Sequence, residues 1–254
     1  MDISHILNDR ESGSVALLNR LVGVLEDELH DRGLRREAFR SQLLNLREKL
    51  HHFAAIENFL SGLVRYTAQQ AAFPDEALRF MAVYKLYWQD SIRPLTENFL
   101  DQCQPEGLTI LTHSHSQTLI SLFTQLHLRQ IHFRVLQTRS SPGEEGEKSL
   151  ERMLQLRLQA ELIDDAKVTE ALHRSDVVLM GCDALLETEF LNKVGTLAIL
   201  EQAKQLTKLS FLVAESRKKI TRPEWKDELT AHPLFEWVPL HLIDAVVSER
   251  KNLR

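Results

Sequence analysis

The period of the hydrophobic pattern changes near residue 100 of this 254-residue chain, and that change restricts the fold more than any other feature. Upstream, apolar residues recur with the spacing of amphipathic helices. Downstream, short apolar runs alternate with helical segments, as in a parallel sheet whose strands are joined by crossover helices. The sequence therefore predicts an α/β protein, with a helical N-terminal domain over 1–100 and a Rossmann-like parallel-sheet domain over 101–254.

The upstream half contains two long apolar stripes with helical spacing. A turn between two helices is expected at Asp31-Arg32-Gly33, and Pro74-Asp75-Glu76 has the composition of a helix start. The stripes consist of Val15, Leu18, Leu21, Val22, Leu25 and Leu29, and of Phe39, Leu43, Leu46, Leu50 and Phe53. Helices therefore dominate this half.

The downstream half contains four apolar runs that have the length of buried parallel strands. Three segments between them have the length and apolar spacing of crossover helices. The expected strands cover 108–111, 133–136, 177–180 and 209–214, and the expected helices cover 117–128, 147–159 and 195–206. The Pro-, Gly- and Glu-rich stretch 140–147 is a candidate flexible loop. Together these segments predict a doubly wound unit.

Charge and hydropathy limit the partners of the chain. Its 36 acidic and 31 basic residues give a formal charge of -5, without the basic excess that a nucleic-acid-binding protein usually has. No apolar stretch approaches the roughly 20 residues needed to span a bilayer, and the first residues lack the pattern of a signal peptide. We therefore expect a cytoplasmic protein that binds neither membranes nor nucleic acid directly.

The sequence gives no reason to expect a metal or a cofactor. Only Cys103 and Cys182 are present, too few for a four-cysteine zinc site, and both are expected to be reduced thiols with packing roles. His113 and His115 form a His-x-His pair, but no further carboxylate or thiol pattern completes a metal site, which favours structural roles. Neighbouring side chains on an extended segment point to opposite faces. Cys182 should therefore point away from Asp183 and face the core.

Polar residues follow each expected strand. In an open parallel sheet, ligands bind outside the carboxyl ends of the strands, so these residues should converge on one edge. The segments concerned are 112–116 (Thr-His-Ser-His-Ser), 137–139 (Gln-Thr-Arg), 181–183 (Gly-Cys-Asp) and 215–218 (Glu-Ser-Arg-Lys). Hydroxyls and amides at a helix start, together with the charges of Arg139 and Lys218, favour a phosphate as the ligand. The alternative for Ser114 or Ser116 is a simple helix cap.

Two further candidates lie around residue 190. Asp183 directly follows a buried strand, where desolvation would raise the pKa of its carboxyl group and suit it to acid/base work; the alternative is a carboxylate that caps a loop. In Asn192-Lys193-Val-Gly-Thr196, a Gly with a preceding Lys stands before a helical segment, which is a reasonable anion site.

Six motifs in order resemble the initiation factor 2B alpha/beta/delta family, which includes isomerases of ribose 1,5-bisphosphate and methylthioribose 1-phosphate. They are ILTHSHS at 110–116, TRSSPGEEG at 138–146, LIDDA at 162–166, DVVLMGCDALL at 176–186, NKVGT at 192–196 and FLVAESRK at 211–218. The closing segment 235–249 also looks like that family's C-terminal signature. The resemblance covers nearly all of 106–250, and implies a homodimer or higher oligomer formed through the C-terminal domain.

The resemblance also implies roles for particular residues. In the isomerases, a Cys after the Thr-His pair works with the Asp of a Gly-Ala-Asp motif; here Asp183 matches and Ser114 replaces the Cys. An Arg-Gly-Ala segment of the isomerases corresponds to Glu11-Ser-Gly-Ser-Val, which lacks the Arg. The candidate catalytic residues are Asp183 and Ser114, and the candidate ligand-binding residues are Thr112, His113, Ser116, Arg139, Asn192, Lys193 and Lys218.

Three functions follow from these observations. The first is a non-catalytic, initiation-factor-2B-like protein that binds a sugar phosphate or nucleotide phosphate and signals to a protein partner. The second is an aldose–ketose isomerase of a 1-phosphorylated ribose derivative, in which Ser114 or a nearby His takes the place of the thiol. The third is a ligand-free scaffold subunit. A hydroxyl exchanges protons poorly at neutral pH compared with a thiol of pKa about 8.5, which favours the first.

Overall fold

The computed structural model of the chain describes residues 3–7, 13–30, 34–51, 53–69, 72–220, 226, 233–251 and 253. The expected turn at 31–33 and the first two residues of Glu11-Ser-Gly-Ser-Val lie outside the described residues. The chain forms two compact units, Met1–Asp90 and Ser91–Arg254. The predicted domain boundary at residue 100 stays a prediction.

The first unit consists of helices. The residues of both predicted stripes are buried except Phe53, which is partly buried and follows the third helix. An apolar stripe stabilises a helix only when other elements cover it. The fourth helix packs against the second, third and fifth helices, and the fifth begins at Asp75, as predicted. The helices are α1 (Ser4–Leu7), α2 (Ser14–Leu29), α3 (Arg36–Leu50), α4 (Ala54–Gln69) and α5 (Asp75–Asp90).

The second unit is an α/β unit built on a six-stranded sheet in which every neighbouring pair is parallel. Its strands are β1 (Thr109–Thr112), β2 (Arg134–Thr138), β3 (Gln159–Ile163), β4 (Val177–Met180), β7 (Leu209–Val213) and β9 (Ala245–Val247). The helices are α6 (Ile92–Leu100), α7 (Gln117–Leu128), α8 (Glu145–Gln155), α9 (Val168–Arg174) and α10 (Thr196–Gln205). The predicted α/β class is confirmed.

The strand order is β3-β2-β1-β4-β7-β9. The chain therefore moves outward in one direction from β1 and in the other from β4, and the order reverses between these two central strands. Such a switch point opens a crevice at the carboxyl ends of the two strands. We call the edge at which β1, β2, β4 and β7 end the carboxyl edge.

A smaller antiparallel sheet takes two strands from the connection between β4 and β7 and one from the connection between β7 and β9. It contains β5 (Ala184–Leu185), β6 (Glu189–Lys193) and β8 (Phe235–Pro239). Asn192 and Lys193 are the last two residues of β6, directly before the turn into α10. The hairpin therefore carries this pair to the start of a crossover helix.

One predicted helix is wrong at its end. The segment 147–159 was expected to be helical throughout, but α8 ends at Gln155 and β3 begins at Gln159. β3 is an edge strand that alternates between exposed and half-buried residues before Ile163, so it lacks the continuous apolar run of the central strands. Among the described residues, no helix is both long and apolar enough to cross a membrane.

Candidate functional site

His113 is buried and uses both ring nitrogens inside the protein. Its Nε2 lies 2.9 Å from the carbonyl oxygen of Val194, and its Nδ1 lies 2.6 Å from Oγ1 of Thr138. Because a carbonyl only accepts, Nε2 carries the proton, and Nδ1 accepts from the Thr138 hydroxyl. Burial lowers the pKa of His113 and favours this neutral form. His113 therefore connects β1, β2 and the turn after β6, and is not available as a base.

Ser114, the residue in place of the isomerase cysteine, has a left-handed backbone conformation with φ of 64°. Its N–H donates to Oγ of Ser140 at 2.7 Å, and its carbonyl oxygen accepts from Nε2 of Gln137 at 3.0 Å. These bonds hold a conformation that a residue with a side chain rarely adopts. Within the described residues, nothing hydrogen-bonds to the Ser114 hydroxyl, so no neighbouring base activates it.

Thr112 and Ser116 flank this segment and differ in their hydrogen bonds. Ser116 is the N-cap of α7, and its hydroxyl accepts from the N–H of Leu119 at 3.3 Å. Capping leaves its own proton free to be donated to a ligand. Thr112 is buried, and its Oγ1 has no hydrogen-bond partner in the described part of the chain. A buried hydroxyl without a partner costs free energy, so a polar ligand atom there would be stabilising.

The ends of β1 and β4 approach each other at Gly181. A Cβ atom on Gly181 would lie 2.4 Å from Oγ of Ser116, so a larger residue would push the two strand ends apart. Asp183 follows on the same segment; it is partly buried, and its backbone N–H donates to the carbonyl oxygen of Leu191 at 2.8 Å. The candidate acid/base residue thus lies directly beyond the switch point, where open α/β sheets bind ligands.

Lys193 is a fully buried cation that is paired within the chain. Its side chain is 2% exposed, and its Nζ donates to Oε1 of Glu145 at 2.7 Å and to the carbonyl oxygen of Pro142. Glu145 is the first residue of α8 and its side chain is 22% exposed. The anion that contacts Lys193 in this structure is therefore a carboxylate of the protein itself.

The turn after Lys193 is held by side chains rather than open to a ligand. Nδ2 of Asn192 donates to Oγ1 of Thr196 at 3.0 Å, and that hydroxyl donates to the carbonyl oxygen of Lys193 at 2.6 Å. Gly195 has φ of 100°, and a Cβ atom there would lie 3.2 Å from the ring of His113. Asn192, predicted to bind ligand, thus fixes the turn that positions Lys193.

Lys218 is also buried, with 5% of its surface exposed, but its surroundings are different. Its Nζ donates to the carbonyl oxygen of Cys182 at 2.6 Å, and it makes no ion pair with any described carboxylate. Its neighbour Arg217 forms an ion pair with Glu215 at 2.8 Å. Because buried charges in proteins are normally paired, an ammonium held only by a carbonyl oxygen makes Lys218 a candidate for binding an anion.

Arg139 and His115 complete the set of polar residues after β1 and β2. The guanidinium of Arg139 pairs with Glu147 of α8, and its side chain is 35% exposed. Nδ1 of His115 is buried and has no hydrogen-bond partner among the described residues. Burial lowers the pKa of His115, and Lys148 contributes in the same direction. Neutral His115 therefore has a free nitrogen, whereas Arg139 has an internal counter-ion.

Cys182 is unsuited to be a nucleophile. It is buried in the apolar core beneath the sheet, as predicted, and burial raises the pKa of its thiol to about 12 even though the cation of Lys218 is close. The thiolate is the reactive form of cysteine, so this thiol is inert at neutral pH. In the described residues, no group of three or more His, Cys, Asp and Glu side chains is arranged to hold a metal ion.

A cavity of about 210 Å³ lies beside His113 and next to α10. Its lining combines polar groups of Ser141, Asp165 and Gln202 with apolar side chains such as Val168. Asp183, Lys193 and Lys218 do not line it, so the cavity adjoins the predicted site rather than coinciding with it. Small-molecule sites commonly combine apolar walls with a few polar groups in this way.

Two acidic residues that organise this region were not predicted as site residues from the sequence. The carboxylate of Asp165 accepts from the backbone N–H groups of Ser140 and Ser141 at 2.9 and 2.7 Å, and Glu145 pairs with Lys193. Both lie in motifs that carry the family resemblance, TRSSPGEEG and LIDDA, which was a usable signal. An acidic residue at a helix start is also expected for the helix dipole alone, so nothing in the local pattern identified the partner of Glu145.

The family model of the initiation factor 2 subunit family matches residues 40–231. The chain belongs to this family. The match includes all of the residues that form the carboxyl edge from Thr112 to Lys218, and it confirms the family to which the six ordered motifs pointed.

Relatives within the initiation factor 2 subunit family include both translation factors and enzymes. The chain is 32% identical over 114 residues to translation initiation factor eIF2B subunit alpha of Dictyostelium discoideum, an alignment that covers 44% of this chain and 36% of that protein. It is 22% identical over 246 residues to ribose 1,5-bisphosphate isomerase of Archaeoglobus fulgidus, covering 88% of this chain and 77% of that protein. Membership therefore does not by itself decide between binding and catalysis.

A solved structure of the family has the same fold. The translation initiation factor eIF-2B of Pyrococcus horikoshii OT3 superposes with a TM-score of 0.81 at 18% sequence identity, and the match covers 97% of this chain and 93% of that one. At this identity the likeness concerns the fold alone. The arrangement of strands and crossover helices around the carboxyl edge is thus the family's arrangement.

Proposed function

We propose that this chain is an initiation-factor-2B-like protein that binds a sugar phosphate or a nucleotide phosphate at the carboxyl edge and signals to a protein partner without isomerising the ligand. Lys218 is the observation that carries the proposal. It is a buried ammonium at the switch-point side of the sheet, close to Cys182 and Asp183, with no carboxylate partner among the described residues. A phosphate bound there would supply the missing counter-charge through charge-assisted hydrogen bonds.

The environment of Ser114 supports binding without catalysis. A serine hydroxyl needs an adjacent base to exchange a proton near neutral pH, whereas a thiol with a pKa of about 8.5 needs little help. His113 directly precedes Ser114, but both of its ring nitrogens are hydrogen-bonded, to Thr138 and to Val194. His113 therefore cannot act as that base. The ligand would be held but its carbon-bound protons would stay in place.

The relatives support the ligand class and the assembly. One relative is named for ribose 1,5-bisphosphate and another is named as a subunit of an initiation factor, which favours a small phosphorylated ligand and a protein partner. The proposal includes a homodimer or higher oligomer formed through residues 101–254 and a location in the cytoplasm. A role in translation initiation rests on the resemblance to these relatives.

The second candidate is an aldose–ketose isomerase, and one contact pattern favours it. By the motif resemblance Asp183 matches the isomerase carboxylate, and His115, adjacent in sequence to Ser114, has a buried Nδ1 without a described partner. Burial lowers the pKa of His115, so it is a neutral base near pH 7. His115 would then take the place of the isomerase thiol and work together with the Asp183 carboxylate.

A thermal-shift screen tests the proposal. The purified protein is melted with pentose phosphates, hexose phosphates and nucleoside monophosphates, because any compound that binds only the native state raises its melting temperature. We expect one compound to raise the melting temperature by several degrees at roughly a hundred times its Kd, and the shift to fall to about half or less in Lys218→Met. No shift with any compound would exclude both the binding and the isomerase functions and leave the scaffold.

An isomerisation assay on the compound found in the screen separates the two candidates. The wild-type protein is expected to return the compound unchanged, and Ser114→Cys tests whether the missing thiol alone prevents turnover. Product formed by the wild type and lost in His115→Gln would establish the isomerase and overturn the non-catalytic proposal.

A further inference from the structure

Two buried lysines at the carboxyl edge differ in whether a carboxylate of the protein already neutralises their charge. Lys218 makes no ion pair with a described carboxylate, whereas Lys193 has one already in Glu145. A phosphorylated ligand that approaches Lys193 therefore meets a cation whose charge is neutralised. Any phosphate contact with Lys193 must be an exchange of one anion for another.

The segment that occupies Lys193 consists of an exposed turn, residues 142–144, and of Glu145, the partly buried first residue of α8. Two atoms of this segment contact the ammonium: the Glu145 carboxylate at 2.7 Å and the carbonyl oxygen of Pro142. A Cβ atom on Gly143, which has φ of 109°, would lie 2.8 Å from Oε1 of Glu145 and 3.0 Å from Nζ of Lys193, so the backbone itself closes over the pair. Only glycine permits this close approach.

Glu145 is itself imperfectly satisfied in this position. Its Oε1 accepts from Lys193, but its Oε2 is buried and has no hydrogen-bond partner among the described residues. A buried carboxylate oxygen without a donor costs free energy, which weakens the hold of the segment on Lys193. A phosphate carries more charge and three acceptor oxygens, so it is the stronger partner for the same ammonium.

Upstream of the segment, the chain is anchored separately. Asp165 accepts from the N–H groups of Ser140 and Ser141, and Ser140 also accepts from Ser114. Movement of residues 142–145 away from Lys193 must break the hydrogen bonds from the N–H groups of Glu144 and Gly146 to the carbonyl oxygens of Ser140 and Arg139, both 3.2 Å long, whereas the bonds to Asp165 hold the end of β2 in place. Ser141 and Val194, the neighbours in sequence of Pro142 and Lys193, both line the 210 Å³ cavity, which gives the rest of a ligand a place beside the ammonium.

We infer that Glu145 is an internal stand-in for the ligand's phosphate: it occupies Lys193 in the free protein, and a phosphorylated ligand displaces it together with residues 142–145. This inference rests on the proposed binding function and adds the residue that sets its affinity. A site closed in most molecules binds with an apparent affinity lowered by the fraction that is open. Loss of the Glu145 charge should therefore tighten binding.

Isothermal titration calorimetry with inorganic phosphate and with ribose 5-phosphate tests this. Glu145→Gln keeps the side-chain shape and removes the charge, and it should lower the Kd for both compounds by about tenfold or more. Glu151→Gln is the matched control, because Glu151 lies on the same helix, is exposed, and accepts a hydrogen bond from Gln155 rather than from a candidate ligand-binding residue. Its Kd should stay within about twofold of the wild-type value.

The outcomes distinguish this inference from the proposed function. If the wild type binds either compound and Glu145→Gln binds equally or more weakly, the displacement is wrong and the binding function stands. If neither the wild type nor Glu145→Gln binds either compound, the displacement by phosphate is wrong, and the thermal-shift screen decides the binding function. Amide hydrogen exchange of the wild type gives a second measurement that needs no variant: bound phosphate should speed exchange in residues 142–147, and slower exchange there would overturn the displacement.

Discussion

Lys193 and Lys218 are both buried, but only the charge of Lys193 is neutralised by a described carboxylate. Both ammonium groups lie at the carboxyl edge and both donate to a backbone carbonyl, of Pro142 and of Cys182 respectively. The carboxylate of Glu145 completes the first, and no described carboxylate completes the second. Two buried cations in one region have thus been stabilised by different means.

The difference shows that burial of a lysine does not by itself reveal what the lysine is for. A paired buried ammonium can serve the fold, since removal of either partner leaves an uncompensated charge. An unpaired one is a cost to the fold that only a ligand offsets. Loss of Lys193 should therefore lower stability even without ligand, whereas loss of Lys218 should weaken ligand binding without a loss of stability.

The largest effect is expected at Lys193. Lys193→Met leaves the Glu145 carboxylate without its cation and should lower the free energy of unfolding by roughly 3 kcal/mol, at the low end of the range for broken buried ion pairs because Glu145 is partly exposed. Urea unfolding followed by circular dichroism measures the loss. The double variant Lys193→Met, Glu145→Met removes both charges and should recover most of the stability; equal losses in both variants would refute the pairing.

Lys218→Met should separate binding from stability. The variant removes a buried charge that has no described counter-ion, so the unliganded protein should unfold at the same urea concentration as the wild type or a higher one. Loss of a charged hydrogen bond to phosphate should weaken ligand binding by about 1.5–3 kcal/mol, or roughly 10- to 100-fold.

Lys208 provides the control for this variant. Its Nζ also donates to a single backbone carbonyl oxygen, that of Ser175, at 2.6 Å, but it precedes β7 whereas Lys218 follows it. Lys208→Met should leave ligand affinity unchanged. If both variants weaken binding equally, Lys218 has no special place in the site.

The sequence predicted the sheet and the position of the site because both depend on local patterns. Continuous apolar runs such as 177–180 belong to central strands buried on both faces, and the residues after them must meet at one edge. β3 was missed because it is an edge strand. It contains exposed residues such as Glu161 and therefore has no continuous apolar run. Its absence from the prediction allowed the helix after β2 to be drawn four residues too long.

The charge balance of the site could not be predicted in this way. Glu145 and Lys193 are 48 residues apart, and their contact depends on how the loop after β2 meets the hairpin after β4. Lys193 and Lys218 look equivalent in the sequence, each at the end of a strand. Only the folded chain distinguishes the cation that has a partner from the one that lacks it.

The two histidines on the Lys193 side should make stability depend on pH. Burial lowers the pKa of both His113 and His115 below 6.5. Above that pH the native and unfolded chains both hold neutral imidazoles, so stability is constant. Below it the unfolded chain binds protons that the native chain does not, and the free energy of unfolding falls toward lower pH, by at most about 1.4 kcal/mol per pH unit for each histidine.

Urea unfolding at a series of values from about pH 7 down to about pH 5 measures this slope. His115→Asn should reduce it by up to one half, since His113 remains. His132→Asn is the control, because the His132 side chain is 81% exposed. A slope in His115→Asn that equals the wild-type slope would mean that the fold does not hold His115 neutral.

The smallest effect is expected at Cys182, which reports on access to the Lys218 side. With a pKa of about 12, only about one thiol in ten thousand is ionised near pH 8, even with the Lys218 ammonium nearby. A thiol reagent such as dithionitrobenzoate should therefore label the partly exposed Cys103 in the native protein and reach Cys182 only on unfolding. Cys103→Ser removes the fast reaction and isolates the slow one. If Cys182 is then labelled faster than the protein unfolds, the core beneath Lys218 opens in the native state, and the unpaired cation reflects a mobile region rather than a site formed in advance for an anion.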